Sequence, residues 1–330
     1  MREFGYQRAH DVPGAVALLG ADPDARFLGG GTNLVDLMKA GVERPTRLVD
    51  VRELPLDRVE PAPGGGLRIG ATVTNSDLAA HPEVRRRYPA LTQALLAGAS
   101  GQLRNMATVG GNLLQRTRCG YFTDPAKACN KRVPGSGCPA IEGEHHNHAI
   151  LGGSEQCVAV HPSDMGVALT AFDAVVSYEA ADGPGELPLA EFYLPVGDTP
   201  HQETALPPGA LITGVTLPPA PAHALSRYRK VRERASYAFA IGSVAAALGV
   251  EDGVVREVRL AFGAVASRPW RAREAERALT GGPASAEAFA AAADTELAAA
   301  RPLPGNGYKV TLMRNLVVAV LTDLTEEATR

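Results

Sequence analysis

Four cysteines carry the metal and redox chemistry this chain offers, and all fall in one stretch: Cys119, Cys129, Cys138 and Cys157, with gaps of nine, eight and eighteen residues. Four thiolates are the number a [4Fe–4S] cluster needs, and glycine-rich backbone can supply neutral dipoles around its sulfurs. The spacing leaves other readings open. A four-cysteine zinc site is one, although such sites are usually built from close CxxC pairs, absent here. Disulfides are another, but a chain of 330 residues does not need them to hold a core and shows no secretion signal. Isolated buried thiols are the last. His145, His146 and His148 share the stretch, but histidines clustered in a polar loop read more simply as a solvated face and are left out of the ligand set.

Two glycine clusters offer a different chemistry. Gly29-Gly30-Gly31-Thr32-Asn33 and Ala107-Thr108-Val109-Gly110-Gly111-Asn112 each pair glycines with a hydroxyl and an amide. A glycine turn between strand and helix lets backbone N–H groups approach a diphosphate, and the helix N-terminus adds a favourable dipole. Each cluster alone also reads as an ordinary tight turn. Neither is GxGxxG or a P-loop, so an ordinary Rossmann dinucleotide site is disfavoured.

The elements that position these clusters alternate in type. Asp11-Val12-Pro13 predicts a capped helix ending at Gly20. Residues 26–28 read as a strand feeding the first glycine turn, and Leu34, Leu37 and Met38 as a helix running to Gly41. Strands are expected at 47–51 and 67–72, and a helix at 89–98. The first third is therefore α+β. Residues 115–160 lack hydrophobic periodicity, and an irregular segment of that length is uncommon in a compact domain unless functional or disordered. Ser163-Asp164 is a helix cap, followed by a strand at 174–178. The proline-rich stretch Glu203 to Ala224 is the candidate boundary. Beyond it, 238–250 and 254–265 flank the hairpin signal Glu251-Asp252-Gly253, with Val258, Leu260 and Phe262 facing inward. Helices are expected near 271–279, 286–300 and 309–325.

Composition excludes several partners. Hydrophobic residues make up 45% and charged residues 21%, ordinary for a folded chain. The 33 basic and 36 acidic residues are spread along it, so nothing marks a nucleic-acid or anionic-membrane partner. No run of about 18 apolar residues predicts membrane insertion. Without an apolar signal core the expectation is cytoplasmic, with a periplasmic location open through export in complex with a signal-bearing partner.

The stretches Leu28-Gly29-Gly30-Gly31-Thr32-Asn33-Leu34 and Ala107-Thr108-Val109-Gly110-Gly111-Asn112-Leu113 resemble the two FAD-binding signatures of the medium flavoprotein subunit of the xanthine dehydrogenase, aldehyde oxidoreductase and carbon monoxide dehydrogenase family. Pro162-Ser163-Asp164-Met165 resembles the family's element beside the isoalloxazine, and Tyr228-Arg229-Lys230-Val231 its lysine-bearing strand. Ala264 through Pro269, Arg271, Ala275-Glu276, Leu279 and Gly281 resemble its C-terminal signature. The five elements occur in order along nearly the whole chain.

The resemblance implies a fold and residue roles. The fold is α+β: a vanillyl-alcohol-oxidase-like FAD module over residues 1–222, in subdomains 1–55 and 56–222 with the cysteine insertion at about 115–160, then a C-terminal domain of antiparallel sheet plus helices over 223–330. Leu28, Gly29, Gly30, Gly31, Thr32, Asn33 and Leu34 would surround the diphosphate and ribityl chain of FAD, with Ala107, Thr108, Gly111 and Asn112 continuing that wall. Ser163, Asp164 and Lys230 would hydrogen-bond the flavin or its chain; Lys230 on the residues alone is also a plain surface charge. A branch of the family is similar in carrying a cysteine-bearing insertion, which implies a [4Fe–4S] cluster on Cys119, Cys129, Cys138 and Cys157.

The implied partners are a molybdenum-cofactor large subunit, a [2Fe–2S] small subunit and an external electron acceptor. An aldehyde oxidoreductase of the periplasmic type is the leading branch and an aromatic-acyl-CoA reductase the second. A free-standing flavin dehydrogenase and a non-enzymatic metal scaffold are the rivals from other classes. No catalytic base or covalent flavin attachment residue supports the former.

Overall fold

A computed structural model describes residues 1–220 and 224–328. Strands β1 (Gly5–Arg8), β2 (Arg26–Leu28) and β3 (Arg47–Asp50) form a parallel sheet in the order β1-β3-β2. Parallel neighbours need crossover connections, and two helices supply them. Helix Val12–Gly20 starts on Asp11, whose Oδ1 accepts from Gly14 N at 2.6 Å, with Pro13 in the first turn. Helix Leu34–Lys39 follows the first glycine cluster and buries Leu37 and Met38.

Strands β4 (Val59–Pro61), β5 (Leu67–Gly70), β6 (Val175–Ala180), β7 (Gly183–Pro188) and β8 (Leu211–Leu217) make an antiparallel sheet in the order β4-β5-β8-β6-β7. The expected boundary stretch Glu203 to Ala224 thus contains the central strand of a sheet. Pro207, Pro208, Pro218 and Pro219 bracket β8 and do not interrupt it, while Ile212, Val215 and Leu217 are buried. The domain division expected between 222 and 223 lies outside the described residues. Strand β7, rich in glycine and proline, occupies the sheet edge, where missing N–H donors cost least.

Strands β9 (Leu225–Val231), β10 (Gly242–Glu251), β11 (Val254–Gly263) and β12 (Trp270–Arg271) form a second antiparallel sheet, ordered β12-β11-β10-β9. Asp252 (φ 51°) and Gly253 (φ 74°) both take left-handed backbone in the two-residue turn joining β10 to β11. This is the turn a right-twisted hairpin favours. Both faces of β10 are buried: Val244, Ala246 and Leu248 pack with helices Arg273–Leu279, Ala286–Leu297 and Tyr308–Ala328, whereas Ala245 and Ala247 pack with helices Pro89–Ala97 and Asp164–Ala171. A strand covered on both sides reads as a continuous apolar run, as this one does. The same burial binds the C-terminal sheet into the central core.

Residues 115–160 contain one helical turn, Gly120–Thr123, and otherwise turns and bends. The far end of this stretch is pinned by the C-terminal region. Asn306 Nδ2 donates to the His148 and Ala149 carbonyls, Arg301 N to Ile150 O, and the buried Lys309 Nζ to the carbonyls of Asn147, His148 and Ala264. Burial lowers the Lys309 ammonium to about 7. Among the described residues no helix is long and apolar enough to cross a membrane.

Candidate functional site

The two glycine clusters, some eighty residues apart in sequence, touch each other. A Cβ added to Gly30 would lie 1.7 Å from the Met106 carbonyl oxygen, and one added to Gly29 would lie 2.8 Å from Thr108 Oγ1. Glycine at 30 is therefore demanded by the close approach of a second backbone. The left-handed residue of the turn is Gly31 (φ 72°). Thr108 caps helix Val109–Leu113, its Oγ1 accepting from Gly111 N at 3.2 Å. The helices after the two turns have only six and five residues, so the backbone N–H groups weigh more here than any macrodipole.

Around this junction opens a cavity of about 720 Å³, within the usual range for small-molecule sites. Gly29, Gly30, Gly31, Thr32, Asn33, Leu34, Ala107, Thr108, Gly111, Asn112, Asp164 and Lys230 line it. Leu28 and Ser163 do not. Leu28 lies in β2, where its carbonyl accepts from Val51 N. Ser163 stands behind Asn112: its Oγ donates to Asn112 Oδ1 at 2.6 Å and accepts from Gly166 N at 2.8 Å. Gln115 Nε2 also donates to Asn112 Oδ1, at 2.8 Å, which fixes the amide so that its N–H₂ is left to donate.

Asp164 and Lys230 form a buried ion pair, 2.8 Å apart, with Tyr228 Oη donating to the other Asp164 oxygen. Burial raises the Asp164 carboxyl above its ordinary range, opposed by the Lys230 charge. His161, also on the wall, is lowered to about 4 by burial and is a neutral ring at neutral pH. Asn33 Nδ2, Thr72 Oγ1, Asn75 Oδ1 and Arg118 Nε line the cavity without a hydrogen-bond partner among the described residues. His161 Nε2 is a fifth such atom, and because unpaired buried polar atoms are costly, a cavity edged by them suits a polar ligand. Thr72, Asn75, Arg118 and His161 escaped the sequence reading because none sits in a glycine motif and each has an ordinary local context.

The four cysteines converge on a second, small pocket also lined by Phe122, Asn130 and Lys131. Cys129 and Cys157 are buried, Cys119 and Cys138 partly so, and all are free thiols. The pocket they line has a volume of about 10 Å³. Among the described residues, no three or more His, Cys, Asp or Glu side chains are arranged to hold a single metal ion. Cys138 and Cys157 hydrogen-bond to each other, which pulls the Cys138 thiol below its ordinary range and pushes Cys157 above it. Burial pushes the Cys119 thiol up.

Of the three histidines His146 is exposed, as expected, whereas His145 and His148 are half-buried. His148 Nε2 lies 3.2 Å from Cys119 Sγ, His145 Nε2 accepts from Gly305 N at 2.9 Å, and His146 stacks on Tyr308 at 4.6 Å. His145 and His146 dock the insertion on the C-terminal region, a contact that a local window cannot reveal.

Comparison with known proteins agrees with this architecture along the chain. Residues 2–220 match the family described as FAD binding domain in molybdopterin dehydrogenase, and residues 226–324 match the CO dehydrogenase flavoprotein C-terminal domain. The chain is 51% identical to the aldehyde oxidoreductase FAD-binding subunit PaoB of Escherichia coli (strain K12), over 99% of this chain and 100% of that one. It is 25% identical to the glyceraldehyde dehydrogenase medium chain of Sulfolobus acidocaldarius, over 84% of this chain and 82% of the relative. Among solved structures, a chain of carbon monoxide dehydrogenase from Hydrogenophaga pseudoflava superposes with a TM-score of 0.77 at 26% identity, covering 98% of each chain. The chain belongs to the FAD-binding medium subunits of the xanthine dehydrogenase and carbon monoxide dehydrogenase family of molybdenum hydroxylases.

Proposed function

We propose that this chain is the FAD and iron–sulfur electron-transfer subunit of a molybdenum-containing aldehyde oxidoreductase, working with a molybdenum-cofactor large subunit and a [2Fe–2S] small subunit. Its full-length similarity to an aldehyde oxidoreductase FAD-binding subunit carries this reading. FAD, when bound, supplies electron exchange between the partner's iron–sulfur centres and an external acceptor.

The chain's own residues hold and shape the site. The backbone of Gly29 to Asn33, with Ala107, Thr108 and Gly111, would cradle the diphosphate and ribityl chain, where glycine leaves N–H groups accessible. Asn112 would donate through the amide that Ser163 and Gln115 orient. Asp164 and Lys230 would present a fixed, paired charge to the flavin. Cys119, Cys129, Cys138 and Cys157 are the proposed ligands of a [4Fe–4S] cluster. Two observations support that assignment: all the cysteines of the chain share one pocket, and the loop bearing them has no apolar periodicity to order it.

The test is the visible spectrum and metal content of the complex purified natively. A flavin released on denaturation, about four irons and matching sulfide per chain, and an EPR signal lost in Cys138→Ser are expected. A covalent or absent flavin would refute the FAD assignment. Zinc, or thiols that titrate freely in the native protein, would refute the cluster.

A further inference from the structure

A chain of four charges stands between the flavin cavity and the cysteine pocket. The Arg116 guanidinium bridges Glu43 Oε1 at 2.7 Å and Glu203 Oε2 at 2.6 Å, and Glu203 Oε1 pairs with Lys131 Nζ at 2.8 Å. The four groups come from four separate segments: the turn after the first FAD helix, the exit of the second glycine cluster, the cysteine insertion, and the stretch preceding β8. All line the flavin cavity, and Lys131 lines the cysteine pocket as well. Arg116 also lies over the ring of Phe122, 4.6 Å from its centroid, and Phe122 borders the cysteine pocket. Its backbone N–H donates to Asn33 Oδ1 at 2.8 Å, fastening the network to the glycine turn.

Stability is a poor reason for such a network. Lys131 is 6% exposed and Arg116 23%, and desolvating charges cancels most of what pairing them gains. Arg26 Nε adds a longer contact, 3.6 Å from Glu43 Oε2, so the two carboxylates face three cations, and the charges are fixed in place. A fixed charge beside a flavin alters how readily it accepts electrons, and low dielectric strengthens that influence.

We propose that the Glu43–Arg116–Glu203–Lys131 network sets the reduction potential of the bound flavin, with Glu203 and Lys131 as opposed electrostatic positioning residues at the boundary with the cysteine pocket. The proposal rests on the FAD reading. Removing the Lys131 charge makes the wall more negative by one unit, which disfavours adding electrons to the flavin. Neutralising Glu203 makes the wall more positive by one unit, which favours it.

The experiment is a spectroelectrochemical titration of the flavin against a reference dye, in the natively purified complex, for wild type, Lys131→Met, Lys131→Arg and Glu203→Gln. Flavin content and melting temperature are measured alongside. The flavin midpoint falls in Lys131→Met, rises in Glu203→Gln and stays near wild type in Lys131→Arg. If Glu203→Gln does not fold, the contrast between Lys131→Met and Lys131→Arg decides, since a packing role would not follow charge. Shifts of the same sign in Lys131→Met and Glu203→Gln, or a Lys131→Met midpoint equal to wild type at full flavin content, overturn the proposal while leaving FAD binding intact. A wild type without flavin would overturn the FAD reading itself.

Discussion

Replacing Gly30 by alanine tests whether the two glycine clusters work as one structure. The added methyl would lie 1.7 Å from Met106 O, 2.4 Å from Met106 C and 3.0 Å from Ala107 N. These are backbone atoms and cannot swing aside as a side chain would. Reaching an ordinary contact of about 3.5 Å requires the two segments to part by about 1.8 Å. Overpacking of this kind typically costs about 1–3 kcal/mol, a fraction of the roughly 5–15 kcal/mol that holds a fold together. The variant should therefore fold. Strain expressed at the cavity wall would weaken FAD binding by roughly 5- to 150-fold, at about 1.4 kcal/mol per tenfold. Gly101→Ala is the control, because its Cβ meets nothing within 4 Å. The assay is the ratio of flavin to protein absorbance after extensive dialysis, with an FAD titration of the stripped protein. Gly30→Ala with the flavin affinity and melting temperature of Gly101→Ala would refute the argument.

Other perturbations follow from the buried polar groups. Lys230→Met leaves the buried Asp164 carboxylate without its ion-pair partner, so thermal unfolding should show a loss of roughly 3–5 kcal/mol. Adding Asp164→Asn should restore part of that loss, and an additive double variant would count against coupling. The His161 pKa lies near 4 in the folded chain and near 6.5 when unfolded, so the unfolded state binds the extra proton between those values. This contribution is fully present above about pH 6.5 and is lost as pH falls toward 4, up to about 3 kcal/mol. The stability difference between wild type and His161→Asn should shrink across that window; a difference independent of pH would sink the idea. Lys309→Met strands the carbonyls of Asn147 and Ala264, at roughly 1–3 kcal/mol for each left unsatisfied, while Asn306 still serves His148. Amide exchange at residues 149–151 should quicken, and unchanged exchange there would argue against the pinning role.

The order of elements was readable wherever it depends on neighbours in the chain. Asp11 and Ser163 announce their helices because a cap acts on N–H groups two or three residues away. Asp252-Gly253 announces its hairpin because only two residues must tolerate left-handed backbone. The family signatures are likewise local strings, so FAD chemistry was legible before any contact was known. Strand β8 was not: its prolines lie outside the strand, and nothing in a short window says that Leu211–Leu217 will be flanked by β5 and β6.

The site divides along the same line. The glycine clusters and the family signatures pointed to part of the cavity wall. Only the fold shows that Gly30 must accommodate the Met106 carbonyl, that Ser163 orients Asn112 from behind, and that His145 and His146 dock on the C-terminal region. Lys131 reads as one more charged loop residue until folding brings Glu203 to it across 72 positions. Caps, turns and motifs are encoded within a few residues, whereas burial and long-range pairing belong to no segment alone, so only the tertiary structure could decide them.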